Sequence, residues 1–315
     1  MIDGAAERPR VVVGVDGSAG ARAALLWAAA EAMRRGARLE VVHAWVAVGE
    51  RQGAAKVADD AASTAALIYP TLDVVTSTPQ IAAAQALLEA GVGADVLVVG
   101  PRGLGGFRGL LLGSVSHQCI EHAPCPVVVV RERPAAPASA AATAPAAATA
   151  PSADATPGVV VAVDGSPGAD AALRWAMDEA ARRKVAVQIV YAWQFPPLGG
   201  FVVGPPDGYE SVADEILSKA RATAHEVKPE VPVQAVSRFG ATVPVILDAS
   251  VGAELLVVGA RGHGGFGGLL LGSTAQSCAR HAPCPVAIVR PEPVASDPAA
   301  VASDPAAEAA TGTRA

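Results

Sequence analysis

The chain is written twice. VVVGVDGSAG at 11–20 matches VVVAVDGSPG at 159–168 in eight of ten positions. GLLLGSVSHQCIEHAPCPVVVVRERP at 109–134 matches GLLLGSTAQSCARHAPCPVAIVRPEP at 268–293 in sixteen of twenty-six. Whatever the first copy folds into, the second must fold into as well, which removes most architectures open to a single chain of this length. The first pair of matches begins 148 residues apart and the second 159, while Trp45 and Trp193 still differ by 148. Copy two has therefore gained eleven residues after its second strand, around QFPPLGGFVVGPPDGYE. Two units of this size are a tandem duplication and not a solenoid.

The division follows. Residues 1–133 form one domain and 158–291 the other. Between them, 134–157 is almost wholly Ala, Pro, Thr and Ser, too poor in large apolar groups to repay its ordering entropy, and reads as a linker. The tail, 292–315, carries VASDPAA twice and reads as disordered. A net charge of −6 over 315 residues implies no broad basic surface, so nucleic acid is not an expected partner. No apolar run reaches the roughly 18–20 residues of a membrane helix, and MIDGAAERPR lacks a signal-peptide core, so a cytoplasmic chain with no membrane partner is expected. Four cysteines do not make a disulfide framework in a chain of this size.

Within each copy, apolar strands alternate with helices. In copy two, VVVAV, VAVQIVYAW, VPVQAVS, ELLVVG and PVAIV read as strands. Helices are expected at 168–183, near 209–227, near 242–250 and from Ser273 to about Arg280. Copy one follows the same order with a shorter second helix. Strands that are apolar throughout belong to a parallel sheet covered on both faces. The expected fold is α/β: two tandem doubly wound open parallel five-stranded sheets, Rossmann-like, of order 3-2-1-4-5. Strand 5 is then an apolar edge in each unit, VVVV at 127–130 and VAIV at 286–289. An uncovered edge of this kind invites pairing, here of one unit with the other around a pseudo-two-fold. A homodimer of the whole chain is a further expectation to test.

Glycines crowd the stretch after strand 4 in both copies: GPRGLGGFRGLLLGS at 100–114 and GARGHGGFGGLLLGS at 259–273. Their position argues against a dehydrogenase fingerprint, which would open the first helix, and the lack of lysine argues against a P-loop. In the 3-2-1-4-5 order the switch point lies between strands 1 and 4, so Asp16 and Gly100, and likewise Asp164 and Gly259, face one crevice. Gly103, Gly105, Gly106 and Gly113 let main-chain amides face an anion, and Ser114 opens the next helix where the dipole favours negative charge. Gly262, Gly264, Gly265, Gly272 and Ser273 repeat the set, and Arg102, Arg108 or Arg261 would add charge-assisted contacts. An acid opposite a phosphate site must hold Mg²⁺ or accept donors from a base or ribose.

These residues resemble the universal stress protein family, in its tandem two-domain, actinobacterial form and its ATP-binding branch. The spacing G-x2-G-x9-G-[S/T] is met by Gly100, Gly103, Gly113, Ser114 and by Gly259, Gly262, Gly272, Ser273, joined to V-D-G-S after strand 1 and HAW or YAW after strand 2. The resemblance implies one ATP per domain, with Mg²⁺. Asp16 with Ala44, and Asp164 with Ala192, would lie on the adenosine side. The glycine loops with Ser114 and Val115, and with Ser273 and Thr274, would hold ribose and phosphates. Gly14 and Ala162 would pass close to the nucleotide. Copy two has Gly240 after strand 3, whereas copy one reads TSTPQIAAA and departs from the family there.

Plainer readings stand beside these. The loop would serve as a tight turn under a helix, and Asp16 and Asp164 as turn acids. Cys119, His122 and Cys125, repeated as Cys278, His281 and Cys284, lack a fourth ligand and paired CxxC geometry, so no metal site is expected. Trp27 and Trp175 read as core, and His43, replaced by Tyr191, as non-catalytic. The expected function is an ATP-binding regulator of stress response or growth control that signals to an unidentified protein partner, with at most slow hydrolysis. The alternative is a nucleotide-independent interaction module. An adenylating enzyme would want an S-G-G-x-D-S loop, which VDGSAG matches only in part.

Overall fold

The computed structural model describes residues 8–47, 50–104, 111–132, 158–194, 209–263 and 270–291. The first unit runs β1 (Arg10–Gly14), α1 (Ala19–Arg35), β2 (Arg38–Val42), α2 (Arg51–Ile68), β3 (Val74–Ser77), α3 (Ala83–Ala90), β4 (Val96–Val99), α4 (Ser114–His122), β5 (Val127–Val129). The second runs β6 (Val159–Ala162), α5 (Pro167–Arg183), β7 (Val187–Trp193), α6 (Tyr209–Val227), β8 (Val233–Phe239), α7 (Thr242–Ala249), β9 (Leu255–Gly259), α8 (Ser273–His281), β10 (Val286–Val289). The helix α2 is not markedly shorter than α6, at 18 residues against 19. The additional residues of copy two fall between β7 and α6, outside the described residues.

Each unit has the order 3-2-1-4-5, and the two join in one ten-stranded sheet, β3-β2-β1-β4-β5-β10-β9-β6-β7-β8. All neighbours are parallel except β5 and β10, which pair antiparallel with Val128 opposite Ala287. The apolar fifth strand of each unit thereby gains a partner for its free edge, which is buried in both. Successive strand residues serve opposite faces. Val11 and Val13 belong to the core layer under α1 and α5, while Val12 belongs to the opposite layer, under α3, α4, α7 and α8. Both faces are covered over the middle of the sheet, so β4, β5, β6, β9 and β10 carry no polar side chain, whereas the outer strands expose Thr76, Gln234 and Ser237.

Ser18 caps α1 by accepting from the Ala21 amide (3.1 Å), and Ser166 caps α5 through Ala169 (3.2 Å). The helix α1 ends at Gly36 in the left-handed region (φ 60°), and Lys184 takes the same conformation after α5 (φ 58°). The two helices meet across the pseudo-two-fold through buried charge. Glu31 accepts from Arg35 (2.7 Å) of its own helix and Arg183 (2.6 Å) of the other, and Glu179 accepts from Arg183 and Arg35. Both carboxylates are fully buried. Arg35 lies 5.9 Å over the Trp175 ring, and Arg183 lies 5.5 Å over that of Trp27. The two tryptophans, expected as core, are only partly buried: they form platforms for arginines of the opposite unit.

Candidate functional site

The backbone of the first unit builds a hollow at the carboxyl ends of β1 and β4. β1 ends at Gly14 and β4 at Val99, so Asp16 and Gly100 stand just beyond the strands, in the loops that the switch point splays apart. The result is a cavity of about 310 Å³. Gly14, Asp16, Ala44, Gly100, Arg102, Gly103, Gly113, Ser114 and Val115 all line it. Gly105 and Gly106, with Arg108, lie outside the described residues, as do Gly264 and Gly265.

The glycines serve different ends. A Cβ on Gly100 would lie 2.8 Å from Gly20 of α1, because the first turn of that helix rests directly on the end of β4. Gly259 meets Gly168 in the same way, at 2.7 Å. A Cβ on Gly103 would strike Oδ2 of Asp16. Close packing against backbone therefore requires glycine at Gly100 and Gly259, whereas at Gly103 the obstacle is a carboxylate that would have to move. On Gly14 a Cβ would press against Leu87, which with Ala83 of α3 forms an apolar part of the wall.

Asp16 does not stand free across from the loop. Its Oδ1 accepts from the Ser18 amide (3.0 Å), closing a turn, and its Oδ2 accepts from the Leu104 amide (2.8 Å). Asp164 does the same with Ser166 (3.0 Å) and His263 (3.1 Å). The acid thus pins the start of the glycine segment to the end of strand 1. A carboxylate has about four acceptor sites, so two amides leave capacity for a ligand hydroxyl.

The phosphate end is main chain. Gly113 is the N-cap of α4 and has no side chain to cap it; its own amide donates to Pro101 (2.7 Å). The first amides of α4, those of Ser114, Val115 and Ser116, have no partner within the helix, and all three residues line the cavity. Ser116 Oγ donates to the Gly100 carbonyl (2.6 Å) and fastens the helix to β4. In the second unit Gly272 caps α8, its amide on Ala260 (2.8 Å), with Ser273 and Thr274 opening the helix. There Ala162 replaces Gly14, Thr274 replaces Val115, and Ala192 follows Tyr191 at the end of β7. Arg261 is held close to α5, where a Cβ on Gly168 would lie 2.3 Å from its carbonyl oxygen.

Sequence reasoning weighed His43 only as a non-catalytic residue and did not place it, Leu87 or Leu104 at the site. His43 lines the cavity and its Nδ1 bonds the Val15 carbonyl (2.8 Å), tying the ends of β1 and β2 together. Its place beside Ala44 was the available signal. Leu87 sits on an alanine-rich helix with no chemical residue to mark it. The cysteines show no metal geometry: among the described residues no group of three His, Cys, Asp or Glu side chains could hold an ion. Burial pushes the Cys119 and Cys278 thiols up to about 12. Among the described residues no helix is long and apolar enough to cross a membrane.

Comparison with known proteins agrees with this construction. The family model described as Universal stress protein family matches residues 7–131 and again 158–290. Universal stress protein Rv2623 of Mycobacterium tuberculosis is 31% identical over 301 residues, covering 89% of this chain and 96% of its own. Universal stress protein Rv2005c of the same organism is 32% identical over 305 residues, with the same coverage. A universal stress protein from Archaeoglobus fulgidus superimposes with a TM-score of 0.58 over 90% of this chain and 99% of its own, at 17% identity, a likeness of fold. With both halves matched by one family model and curated relatives similar along nearly their whole length, the chain belongs to the universal stress protein family.

Proposed function

We propose that each half binds an adenine nucleotide, ATP with Mg²⁺, and that the protein is a nucleotide-dependent regulator in stress response or growth control. One observation carries the reading. In the first unit, unpaired helix amides at Ser114 and Val115, an acid at Asp16 and apolar walls from Val42, Ala83 and Leu87 meet in one cavity. Its volume lies at the lower end of the 300–1,000 Å³ common for small-molecule sites. Phosphates would take the amides of α4, with Arg102 beside them. The adenosine would lie toward Ala44, Gly14 and Leu87, with Asp16 accepting from a ribose hydroxyl. Asp16 is the only carboxylate on the cavity wall among the described residues, so Mg²⁺ would arrive with the triphosphate and not be held by the protein alone. Asp164, Ser273, Thr274, Ala162 and Ala192 would act correspondingly in the second unit.

Neither unit places a lysine in its loop, and among the described residues the cavity wall carries no carboxylate free of main-chain bonds to orient a water. Hydrolysis would be slow. Nucleotide bound against Arg102, Gly103 and Ser114 would then change a surface that a protein partner reads.

The competing reading, a nucleotide-independent interaction module, has its own observation: Asp16 and Asp164 complete the loop geometry without a ligand. Equilibrium dialysis with ATP and Mg²⁺ decides between them. The regulator reading expects two ATP per chain, one in each half; no bound ATP at millimolar concentration would leave the module.

A further inference from the structure

Arg131 follows β5 and Arg290 follows β10. Because these strands run antiparallel, each arginine reaches into the opposite unit. Nη2 of Arg131 donates to the carbonyls of Ala279 (2.8 Å) and Arg280, in the last turn of α8. It also reaches Leu111 (3.2 Å), two residues before the N-cap of α4. Arg290 repeats the arrangement. Its Nη2 donates to Ile120 (2.6 Å) and Glu121 at the end of α4, and its Nη1 to Leu270 (3.2 Å), two residues before the N-cap of α8. Each planar guanidinium therefore holds the lead-in to one unit's candidate phosphate site and the tail of the helix that opens at the other.

We propose that Arg131 and Arg290 are positioning residues that couple the two candidate nucleotide sites, so that a polyanion bound at Ser114 and Val115 favours binding at Ser273 and Thr274, and the reverse. The proposal rests on the nucleotide reading above. Two physical features give the coupling its path and its sign. Each helix has only nine residues, roughly 13 Å, and one end faces the cavity while the other is clamped by the opposite unit's arginine. An anion at the amino end and a cation at the carboxyl end both complement the helix dipole.

The second feature is Arg102. With Gly103 it lines the candidate site and also a neighbouring hollow of about 360 Å³, shared with Gly20, Pro101, Arg131 and Glu132. Burial, and then the positive charge of Arg102, lowers the pKa of Arg131; burial and Arg261 do the same to Arg290. An anion on Arg102 offsets that repulsion and strengthens the grip of Arg131 on α8. Arg261 and Arg290 carry the effect back to α4, as reciprocity of linked binding requires.

The test is calorimetric titration of the full chain with ATP and Mg²⁺. The second ATP should bind at least about five-fold more tightly than two equal, independent sites allow. In the Arg131→Gln, Arg290→Gln double variant that excess should vanish, and lysine at both positions should restore part of it. Independent sites in the unaltered chain, an excess that survives both glutamines, or a single ATP per chain would each overturn the coupling while leaving nucleotide binding intact. No bound ATP would remove both readings. Should the glutamine variant fail to fold, amide exchange replaces it. With Ser273→Asp repelling phosphate from the second site, ATP should slow exchange at residues 278–281, and ATP bound without that slowing overturns the coupling.

Discussion

Oδ2 of Asp16 fills the space that a side chain on Gly103 would need: a Cβ there would lie 2.2 Å from it, and the same 2.2 Å separates a Cβ on Gly262 from Oδ2 of Asp164. The two residues are therefore one device, in which the absent side chain admits the acid and the acid holds the next amide. Gly103→Ala should push the carboxylate off the Leu104 amide, cost about 1 kcal/mol of stability, and weaken ATP binding about ten-fold (~1.4 kcal/mol). Asp16→Ala should do much the same, and the double variant should lose less than the sum. Thermal unfolding and dialysis read both effects; additive losses would show that the residues act separately.

Gly14 governs the depth of the first cavity. A Cβ at that position would lie 2.8 Å from Cδ1 of Leu87, the movable end of its side chain. Gly14→Ala should therefore cost about 1 kcal/mol in stability, the low end for overpacking, but narrow the floor, lowering ATP affinity in the first unit. The reciprocal Ala162→Gly should deepen the second site. Titration of each variant beside the parent chain provides the check; unchanged affinity in both would place the ligand away from that floor.

The buried quartet of Glu31, Arg35, Glu179 and Arg183 should be costly to break singly. Glu31→Gln leaves two buried guanidinium groups sharing one carboxylate, a loss of about 3–5 kcal/mol in urea unfolding. The two glutamates release protons in separate steps on either side of the ordinary value of 4.5. Burial works against ionisation of both; at Glu31 the charges of Arg183 and Arg35 win and lower its pKa, whereas Glu179, facing the charge on Glu31, is raised. The lowered group contributes stability that is present above 4.5 and is lost as pH falls through its folded value. The raised group opposes folding as pH climbs from 4.5 through its own folded value, since the folded state keeps a proton that the unfolded chain has released. Either single glutamine variant leaves one carboxylate facing both guanidinium groups with no like charge beside it. The loss of stability as pH climbs from 4.5 should therefore vanish in both while the fall toward acid persists, as urea unfolding between pH 3 and pH 7 would show.

Lys184 holds a left-handed conformation (φ 58°) that Gly36 supplies at the equivalent helix end of the first unit. Lys184→Gly should raise stability by roughly 0.5–1 kcal/mol, the relief of Cβ strain less the entropy of an added glycine. Gly36→Ala should lower it. Chemical unfolding of the two variants should give opposite signs.

The cysteines should be inert in the folded chain. Burial raises Cys119 and Cys278 to about 12 and Cys125 to about 11, so at pH 8 about one thiol in a thousand or fewer is ionised. Iodoacetamide should modify these three only after unfolding; labelling at the rate of an exposed cysteine would show that α4 and α8 open readily.

Much of the architecture is legible in the sequence. Five apolar strands alternating with helices can bury their side chains only in a sheet covered on both faces, and a duplicated edge strand has its own copy as the nearest partner. The cavity was legible in its backbone parts, because a glycine run after strand 4 and an acid after strand 1 can meet only at the switch point. Leu87 was not, since nothing in AAQALLEA distinguishes a residue that faces a ligand from one that faces the core.

The duplicated pattern alone determined the two units, their strand order and the crevice, because side-chain periodicity and connection rules act locally and repeat with the sequence. Tertiary structure alone decided what joins the units. EAMRR and DEAARR look like ordinary helix ends, and the arginines after strands 5 and 10 look like solvent-facing residues. Their partners stand as far as 144 to 170 residues away in the chain, brought near by one antiparallel strand pair. Contacts of charged side chains at such separation follow from the symmetry of the assembled sheet and leave no periodic trace in the chain that makes them.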